Sequence, residues 1–301
     1  MIFQQNEIII LTANQKWVHS SSGRARRSQR RGSEFDPRWI HQCPFQINGR
    51  GFVLHFKKQF FIIVVAMVVS IILLALGAVA SAVFIASKVI NYSFITIILK
   101  GVASLFFVAL GTYLFITIPG HLLFKLFTLL GLIFGFLGDV FLGFKYITTK
   151  AKNGWILAGM FTFVTGHIFY ILALFFEYYL TGHILFIILP FITAICISML
   201  YLFVFKKVGL NFGKILPFGA FYLLCLSSMV VTAFYMFILN GFLIVTLAMF
   251  FVGAVFFAAS DTMLTGAYFK PGKRSKSYMA IYSVLYYLAQ FIIAFSIFFL
   301  I

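Results

Sequence analysis

Charged residues are scarce in this sequence, and acidic residues are the scarcest of them. Asp, Glu, Lys and Arg together make up 10% of the 301 residues, whereas an ordinary soluble domain has about 25%. Hydrophobic residues make up 63% of the chain and aromatic residues 20%. A soluble domain cannot bury so much apolar surface. The composition therefore excludes a cytosolic enzyme, a secreted domain and a disordered protein, and it indicates a membrane protein with several spans.

Cysteine is rare, and the common catalytic motifs do not occur. Cys43, Cys196 and Cys225 show neither metal-ligand spacing nor a disulfide framework. The sequence has no Gly-x-Ser-x-Gly elbow, no nucleotide-binding loop, no HExxH motif and no arginine-studded helix of the voltage-sensor type.

Eight apolar runs are long enough to cross a bilayer, which takes roughly 20 residues at about 1.5 Å each. They cover residues 60–86, 101–118, 121–144, 154–176, 183–205, 214–236, 241–266 and 278–301. Turn signals at Pro119-Gly120 and Asn240-Gly241 separate neighbouring spans. The predicted fold class is an all-α integral membrane bundle of eight transmembrane helices, formed by residues 59–301.

Basic residues are divided unevenly between the loops of this bundle. The first, third, fifth and seventh loops hold twelve Lys and Arg residues, whereas the even loops and the C-terminus hold only Lys125. Because positive residues stay on the cytoplasmic side, the odd loops are predicted to face the cytoplasm. We interpret these residues as membrane anchors and expect no nucleic-acid partner. The expected location is a bacterial cell membrane.

Residues 1–58 form a polar leader that does not fit this topology, which would place its ten basic residues outside. One interpretation is a polybasic arm that binds anionic lipid or RNA, and a second is a solvated, disordered tail. A third is that the leader is not native protein, because the run around residues 32–37 resembles a transfer-RNA gene read in a protein frame. We favour the third interpretation, with a start nearer to the first span.

Two aspartates lie inside the apolar runs, Asp139 in the third span and Asp261 in the seventh. A carboxylate at the centre of a membrane helix costs about 2.5–3.5 kcal/mol, so such residues usually have a function. Small residues precede each aspartate on the same helical face: Gly131, Gly135 and Gly138 before Asp139, and Ala254 and Ala258 before Asp261. Because small residues allow close helix packing in lipid, both aspartates are predicted to face protein.

The two aspartates are also predicted to lie at a similar depth. Asp139 comes six residues before Lys145 and Asp261 nine before Lys270, which corresponds to roughly 9 Å and 14 Å from the inner anchor residues. We therefore predict one shared active cavity, open toward the cytoplasmic leaflet, in which the pair divides the roles of acid and base. The alternative is that each aspartate pairs with a lysine, for which Lys100 is the obvious candidate, or caps a loop.

Other polar residues in the spans are candidates for contacts with a substrate or with the aspartates. In the last span, Tyr282, Tyr286 and Gln290 recur at every fourth residue and could bind a lipid head group or a carboxylate. Packing tyrosines would give the same pattern. In the fourth span, His167 is predicted to form a hydrogen bond between helices. Because no second histidine has a suitable spacing, neither a metal site nor a cofactor is expected.

Four short motifs follow one another along the spans, at Leu130–Leu142, Gly166–Tyr170, Gly253–Leu264 and Tyr286–Gln290. They resemble the motifs of the YhhN-like family, the lysoplasmalogenases, and Tyr222 and Met229 fit a weaker pattern of that family. The resemblance covers roughly residues 60–301, with matching order and spacing. It implies an eight-helix membrane hydrolase whose two aspartates are Asp139 and Asp261, with His167 and Tyr222 in supporting roles.

The same resemblance implies a function. Characterised members cleave the vinyl ether bond of lysoplasmalogens and release a fatty aldehyde and a glycerophospho-base, so the expected partners are a lysophospholipid substrate and membrane lipids. Either aspartate could be the acid, and the candidate substrate contacts are Lys100, Tyr282, Tyr286 and Gln290. The alternative function is a small transporter or lipid-binding protein with the aspartates as a proton relay. An interaction scaffold would explain the small residues but not two aspartates at matched depth.

Overall fold

The structure, a computed structural model, describes residues 49–90, 92–145, 152–179, 185–270, 272 and 275–300, with side chains of the first helix from Phe60 onward. Residues 1–48 of the predicted leader lie outside the described residues, so the interpretations of the leader remain predictions. The chain divides into two units, residues 1–63 with residue 301, and residues 64–300. The contacts discussed below all lie within residues 64–300.

In this described part of the chain, eight long α-helices follow one another. They are α1 (Gly49–Ile90), α2 (Phe94–Thr117), α3 (Leu122–Phe144), α4 (Lys152–Tyr178), α5 (Leu185–Lys207), α6 (Leu216–Leu239), α7 (Val245–Phe269) and α8 (Lys276–Ser296). Short 3-10 helices cover Gly213–Ile215 and Ile297–Leu300. Each long helix contains a stretch long and apolar enough to cross a membrane. The predicted fold class is confirmed: the chain is an all-α, multi-pass membrane protein.

The helix ends differ from the predicted spans most clearly between α1 and α2. The second span was predicted to begin at residue 101, but α2 begins at Phe94, and Ser93 and Thr96 cap it reciprocally. The first helix continues to Ile90 rather than ending at residue 86. Lys88 and Lys100 fall in the first loop of the predicted topology, between residues 86 and 101, but in the structure both lie within helices. The predicted spans end where charged residues interrupt the apolar run. A helix can continue past that point, because a long lysine side chain can extend from it toward the membrane surface.

Consecutive helices mostly pack side by side. The helix α3 packs along α4 and α7 along α8, while α2 contacts both α3 and α8. On the other side, α6 contacts α4, α5 and α7. Completely buried side chains such as Phe107, Leu132 and Phe250 fill the space between these helices. This arrangement brings α2, α3, α7 and α8 together around the polar residues described below.

The predicted protein-facing stripe on α3 is confirmed by its packing. Gly131, Gly135 and Gly138 are all buried. A Cβ atom on Gly131 would lie 2.3 Å from Cε1 of Tyr170, and one on Gly138 would lie 2.6 Å from Cε2 of Phe163. Both rings belong to α4, so the absence of side chains on α3 lets aromatic rings of α4 pack against its backbone. Close helix contact of this kind is how membrane helices associate.

Gly131→Ala is expected to destabilise the protein by about 1–3 kcal/mol, the usual effect of overpacking. The added methyl group would overlap the ring of Tyr170, which is 1% exposed and cannot move outward. Gly154→Ala in α4 is the matched control, because no atom lies within 4 Å of its Cβ position. Melting temperatures of both variants in detergent would check the prediction. Equal melting temperatures would show that α3 and α4 do not pack as described.

The predicted topology is tested by cysteine labelling of intact cells. In a background with Cys43, Cys196 and Cys225 replaced by serine, Leu243→Cys should react with an impermeant thiol reagent. Leu243 is 88% exposed in the loop between α6 and α7, and that even loop is predicted to face outward. Asn153→Cys, at the exposed start of α4, should react only after permeabilisation. The opposite labelling pattern would show that the bundle has the reverse orientation in the membrane.

Candidate functional site

Asp139 is held by three side chains from two neighbouring helices. Its Oδ1 atom lies 2.8 Å from Nζ of Lys100, and its Oδ2 atom accepts hydrogen bonds from Ser104 Oγ at 2.5 Å and Tyr286 OH at 2.8 Å. Lys100 and Ser104 lie one turn apart on α2, so both reach the same carboxylate on α3. The side chain of Asp139 is only 2% exposed. The ion pair and two hydrogen bonds compensate for taking this carboxylate out of water.

A chain of hydrogen bonds continues from this carboxylate deeper into the bundle. Gln290 Nε2 donates to Tyr286 OH at 3.3 Å, and Tyr170 OH donates to Gln290 Oε1 at 2.8 Å. The ring of Tyr286 also meets Phe163 and Phe257 edge-on, with centroids 6.0 and 5.5 Å apart. These contacts fix the ring, so that its hydroxyl group points at Asp139.

Asp261 on α7 has different surroundings. Its Oδ2 atom accepts a hydrogen bond from the Tyr222 hydroxyl of α6, and the residue is 6% exposed. The ion pairs formed between described residues are Lys100–Asp139 and His121–Glu177, so Asp261 has no cationic partner in the described part of the chain. The two buried aspartates therefore differ in charge compensation.

Both aspartates line one cavity, which encloses about 510 Å³ including its open mouth. Lys100, Tyr282 and Tyr286 are also in its lining, together with Lys88 of α1. The cavity lies near the ends of α1, α3 and α7 and the starts of α2 and α8, which is the end of the bundle that carries the first, third and seventh loops. If those loops face the cytoplasm as predicted, the cavity faces the cytoplasmic leaflet.

Two further pockets adjoin Asp261 and are largely apolar. One, of about 400 Å³, is lined by Leu142, Ile156, Met160 and Phe163. The other, of about 420 Å³, is lined by Phe205, Phe212, Leu223 and Leu226. Asp261 and Tyr222 line both pockets. Asp261 thus lines three cavities, of which one contains lysines and the other two are largely apolar.

The other predicted site residues fall into two groups. Lys100, Tyr282 and Tyr286 line the cavity, and Lys100 and Tyr286 also bind Asp139. Gln290 is completely buried between Tyr286 and Tyr170 and is not in the cavity lining. The sequence left open that Lys100 pairs with an aspartate. Lys100 does pair with Asp139, and it forms no ion pair with Asp261.

The interhelical hydrogen bond predicted for His167 is not formed. It is 1% exposed, and neither ring nitrogen has a hydrogen-bond partner. Instead, the ring packs edge-on against Phe257 and Tyr222, with centroids 4.9 and 5.6 Å apart. His167 nevertheless lies beside Tyr222 and thus supports the side chain that binds Asp261.

Three residues of the site were not singled out from the sequence. Lys88 was counted as a loop anchor, but its Nζ atom lies 2.7 Å from Ser283 Oγ of α8. Ser104 belongs to a residue type that is common in membrane helices, and Tyr287 lies within the Tyr286–Gln290 motif but was given no role. The hydroxyl of Tyr287 lies 3.4 Å from the Lys100 carbonyl oxygen. A helical repeat does carry one signal: Ser104 follows Lys100 by four residues and therefore shares its face.

Within the ranges that the structure describes, no three His, Cys, Asp or Glu side chains come together as metal ligands would. The side chains that the site offers are one ion-paired carboxylate, one carboxyl group without a cation among the described residues, two lysines and several phenolic hydroxyl groups. Such a set can transfer protons and bind an anionic or hydroxyl-bearing ligand.

Fold and site together define a polytopic membrane protein with a buried acidic pair in a cavity that opens near one end of the bundle. The model of the YhhN family matches residues 95–297, which is more than half of the chain, and the chain belongs to that family. This confirms the family resemblance predicted from the motifs. The match includes both aspartates but leaves out α1. No curated protein and no solved structure matches the chain.

Proposed function

We propose that this protein is a membrane-embedded hydrolase that cleaves the vinyl ether bond of a lysoplasmalogen-type lysophospholipid. The observation that carries the proposal is that Asp261 lines both a cavity containing lysines and two apolar pockets. A vinyl ether lipid has its reactive bond at the junction between a polar head and a hydrocarbon chain. With the chain in the apolar pockets and the head near the lysines, that bond would lie beside Asp261.

The surroundings of the two aspartates favour different roles. Asp139 is ion-paired with Lys100 and accepts two further hydrogen bonds, which suits a carboxylate that is ionised when the reaction begins and can then take up a proton. Asp261 has no described cation beside it and suits a neutral carboxylic acid, held by Tyr222 with its other oxygen available to the cavity. We therefore assign Asp261 as the general acid and Asp139 as the base.

The reaction balances with these two groups. Asp261 donates its proton to the β-carbon of the vinyl ether, and the double-bond electrons form the new C–H bond, leaving an oxocarbenium ion. The carboxylate of Asp139 stabilises this cation and then accepts a proton from the attacking water. The hemiacetal that results breaks its bond to the glycerol oxygen, which gives a fatty aldehyde and a glycerophospho-base. Proton transfer from Asp139 back to Asp261, through water or the leaving group, restores the site.

Purified protein incubated with a vinyl ether lysophospholipid in detergent tests the proposal. Release of fatty aldehyde in proportion to protein concentration is the expected result. The saturated alkyl ether of the same head group and chain length is the control, because it cannot form the oxocarbenium ion by protonation and should not be cleaved. Proton-coupled uptake of the lipid into vesicles without any aldehyde would instead indicate a transporter and would refute the hydrolase.

A further inference from the structure

The cavity contains a lysine that the proposed chemistry does not use. Lys88 lies in the last turn of α1, outside the residues that the family model matches. Its Nζ atom donates to Ser283 Oγ at 2.7 Å and lies 4.1 Å from the ring centroid of Tyr282. Ser283 in turn donates to the Met279 carbonyl oxygen at 2.9 Å. These contacts orient the ammonium group without neutralising it.

The two lysines of the cavity differ in their counterions. Lys100 is paired with Asp139, whereas no carboxylate lies within ion-pair distance of Lys88 among the described residues. Lys88 contacts a neutral hydroxyl group and aromatic rings, and the charges of Asp139 and Lys100 act on it from a greater distance. A half-buried cation without a counterion is costly in a membrane protein. An anionic ligand at this position would compensate for that cost. Lys88 also has further N–H donors beyond the one given to Ser283.

We propose that Lys88 binds the phosphate group of the lysophospholipid head and thereby places the ether bond at the aspartates. The inference rests on the proposed function for the identity of the lipid, while the phosphate contact rests on the geometry of Lys88. Lysine binds phosphate as a compact point charge. Lys88 lies in the last turn of α1 and lines the same cavity as Asp261, so a phosphate bound to it and a chain in the pockets beside Asp261 would place the ether bond between the two.

Binding of a ligand that cannot be cleaved tests this inference separately from catalysis. A saturated 1-O-alkyl lysophosphocholine would be titrated against purified protein and followed by intrinsic fluorescence. Lys88→Met should weaken binding by roughly tenfold to a hundredfold, the range for hydrogen bonds to charged groups. Lys88→Arg should retain most of the affinity. Lys206→Met is the matched control, because Lys206 is an exposed lysine at the end of α5 and should bind the lipid as the unmodified protein does.

Two further ligands identify what Lys88 recognises. A 1-O-alkyl glycerol, which has the chain but no phosphate, should bind equally well to the unmodified protein and to Lys88→Met. Inorganic phosphate alone should not raise the melting temperature of the unmodified protein, because it lacks the chain. A phosphate effect that disappears in Lys88→Met, without any difference in lipid binding, would assign the site to free phosphate and overturn the lipid assignment.

Lys88→Gln controls for a folding defect, because it keeps a polar side chain with N–H donors, although a shorter one, and removes the charge. It should lose affinity for the phospholipid and keep its melting temperature. Unchanged phospholipid affinity in Lys88→Gln, or an equal loss for the alkyl glycerol, would overturn the phosphate contact. Failure of aldehyde release from the vinyl ether lipid would leave these binding results unaffected and would refute the hydrolase alone.

Discussion

Asp261→Asn is expected to lower turnover of a vinyl ether lysophospholipid by at least roughly a hundredfold, the usual scale of general acid–base catalysis, without loss of stability. Asparagine keeps the size of the side chain and can still accept the hydrogen bond from Tyr222, but it has no acidic proton. Because no described cation is paired with Asp261, the substitution leaves no lysine uncompensated. Turnover and melting temperature would be measured on the same preparation.

The controls separate a chemical role from a structural one. Tyr222→Phe removes the hydrogen bond to Asp261 but keeps the carboxyl group, so it should reduce turnover less than Asp261→Asn does. The double variant Asp139→Asn with Asp261→Asn should have a turnover little lower than that of the less active single variant, because the effects of residues that act as a unit are not additive. A stable Asp261→Asn protein with unchanged turnover would refute the acid role.

Lys100→Met is expected to destabilise the protein by about 3 kcal/mol, since breaking a buried ion pair from one side leaves the other charge uncompensated. The carboxylate of Asp139 is 2% exposed, whereas Lys100 is 15% exposed, so the unpaired charge left behind is the more buried one. Ser104 and Tyr286 still donate to it and keep the expected effect at the lower end of the measured range. Melting in detergent is the measurement.

The double variant Lys100→Met with Asp139→Asn makes this prediction specific. Removing both charges should restore most of the melting temperature lost in Lys100→Met, because no uncompensated charge remains. It should not restore turnover, because Asp139 is the proposed base. Recovery of turnover together with stability would show that the pair has only a structural role. No stability loss in Lys100→Met would show that the ion pair is not formed in the membrane.

The sequence alone allowed the fold to be predicted because bilayer thickness fixes the length of each apolar run. It also identified Asp139 and Asp261, since a carboxylate among apolar residues is conspicuous. It did not show how differently the two are surrounded. That difference depends on how α2 and α6 are rotated against their neighbours, which brings Lys100 to one aspartate and Tyr222 to the other. Hydropathy carries no information about such rotation.

The residues that were missed or misjudged have related physical causes. Lys88 and Lys100 were assigned to a loop because charged residues end an apolar run, although both lie within helices. Ser104 is a small hydroxyl residue of a kind found in every membrane helix. His167 was expected to need a hydrogen-bond partner, but Phe257 and Tyr222 pack against its ring instead. Side-chain partners across helices arise from packing, which the order of residues does not reveal.

Hydrolysis in D₂O tests the proposed reaction most directly. Unmodified protein would be incubated with a vinyl ether lysophospholipid in D₂O, and the aldehyde would be reduced at once with unlabelled borohydride and analysed by mass spectrometry. Protonation of the β-carbon by an exchanged Asp261 predicts one deuterium on the carbon next to the former carbonyl group, while the same aldehyde added directly to D₂O gains none in that time. Aldehyde without this deuterium, or equal deuterated product from Asp261→Asn, would contradict acid catalysis of vinyl ether hydrolysis by Asp261.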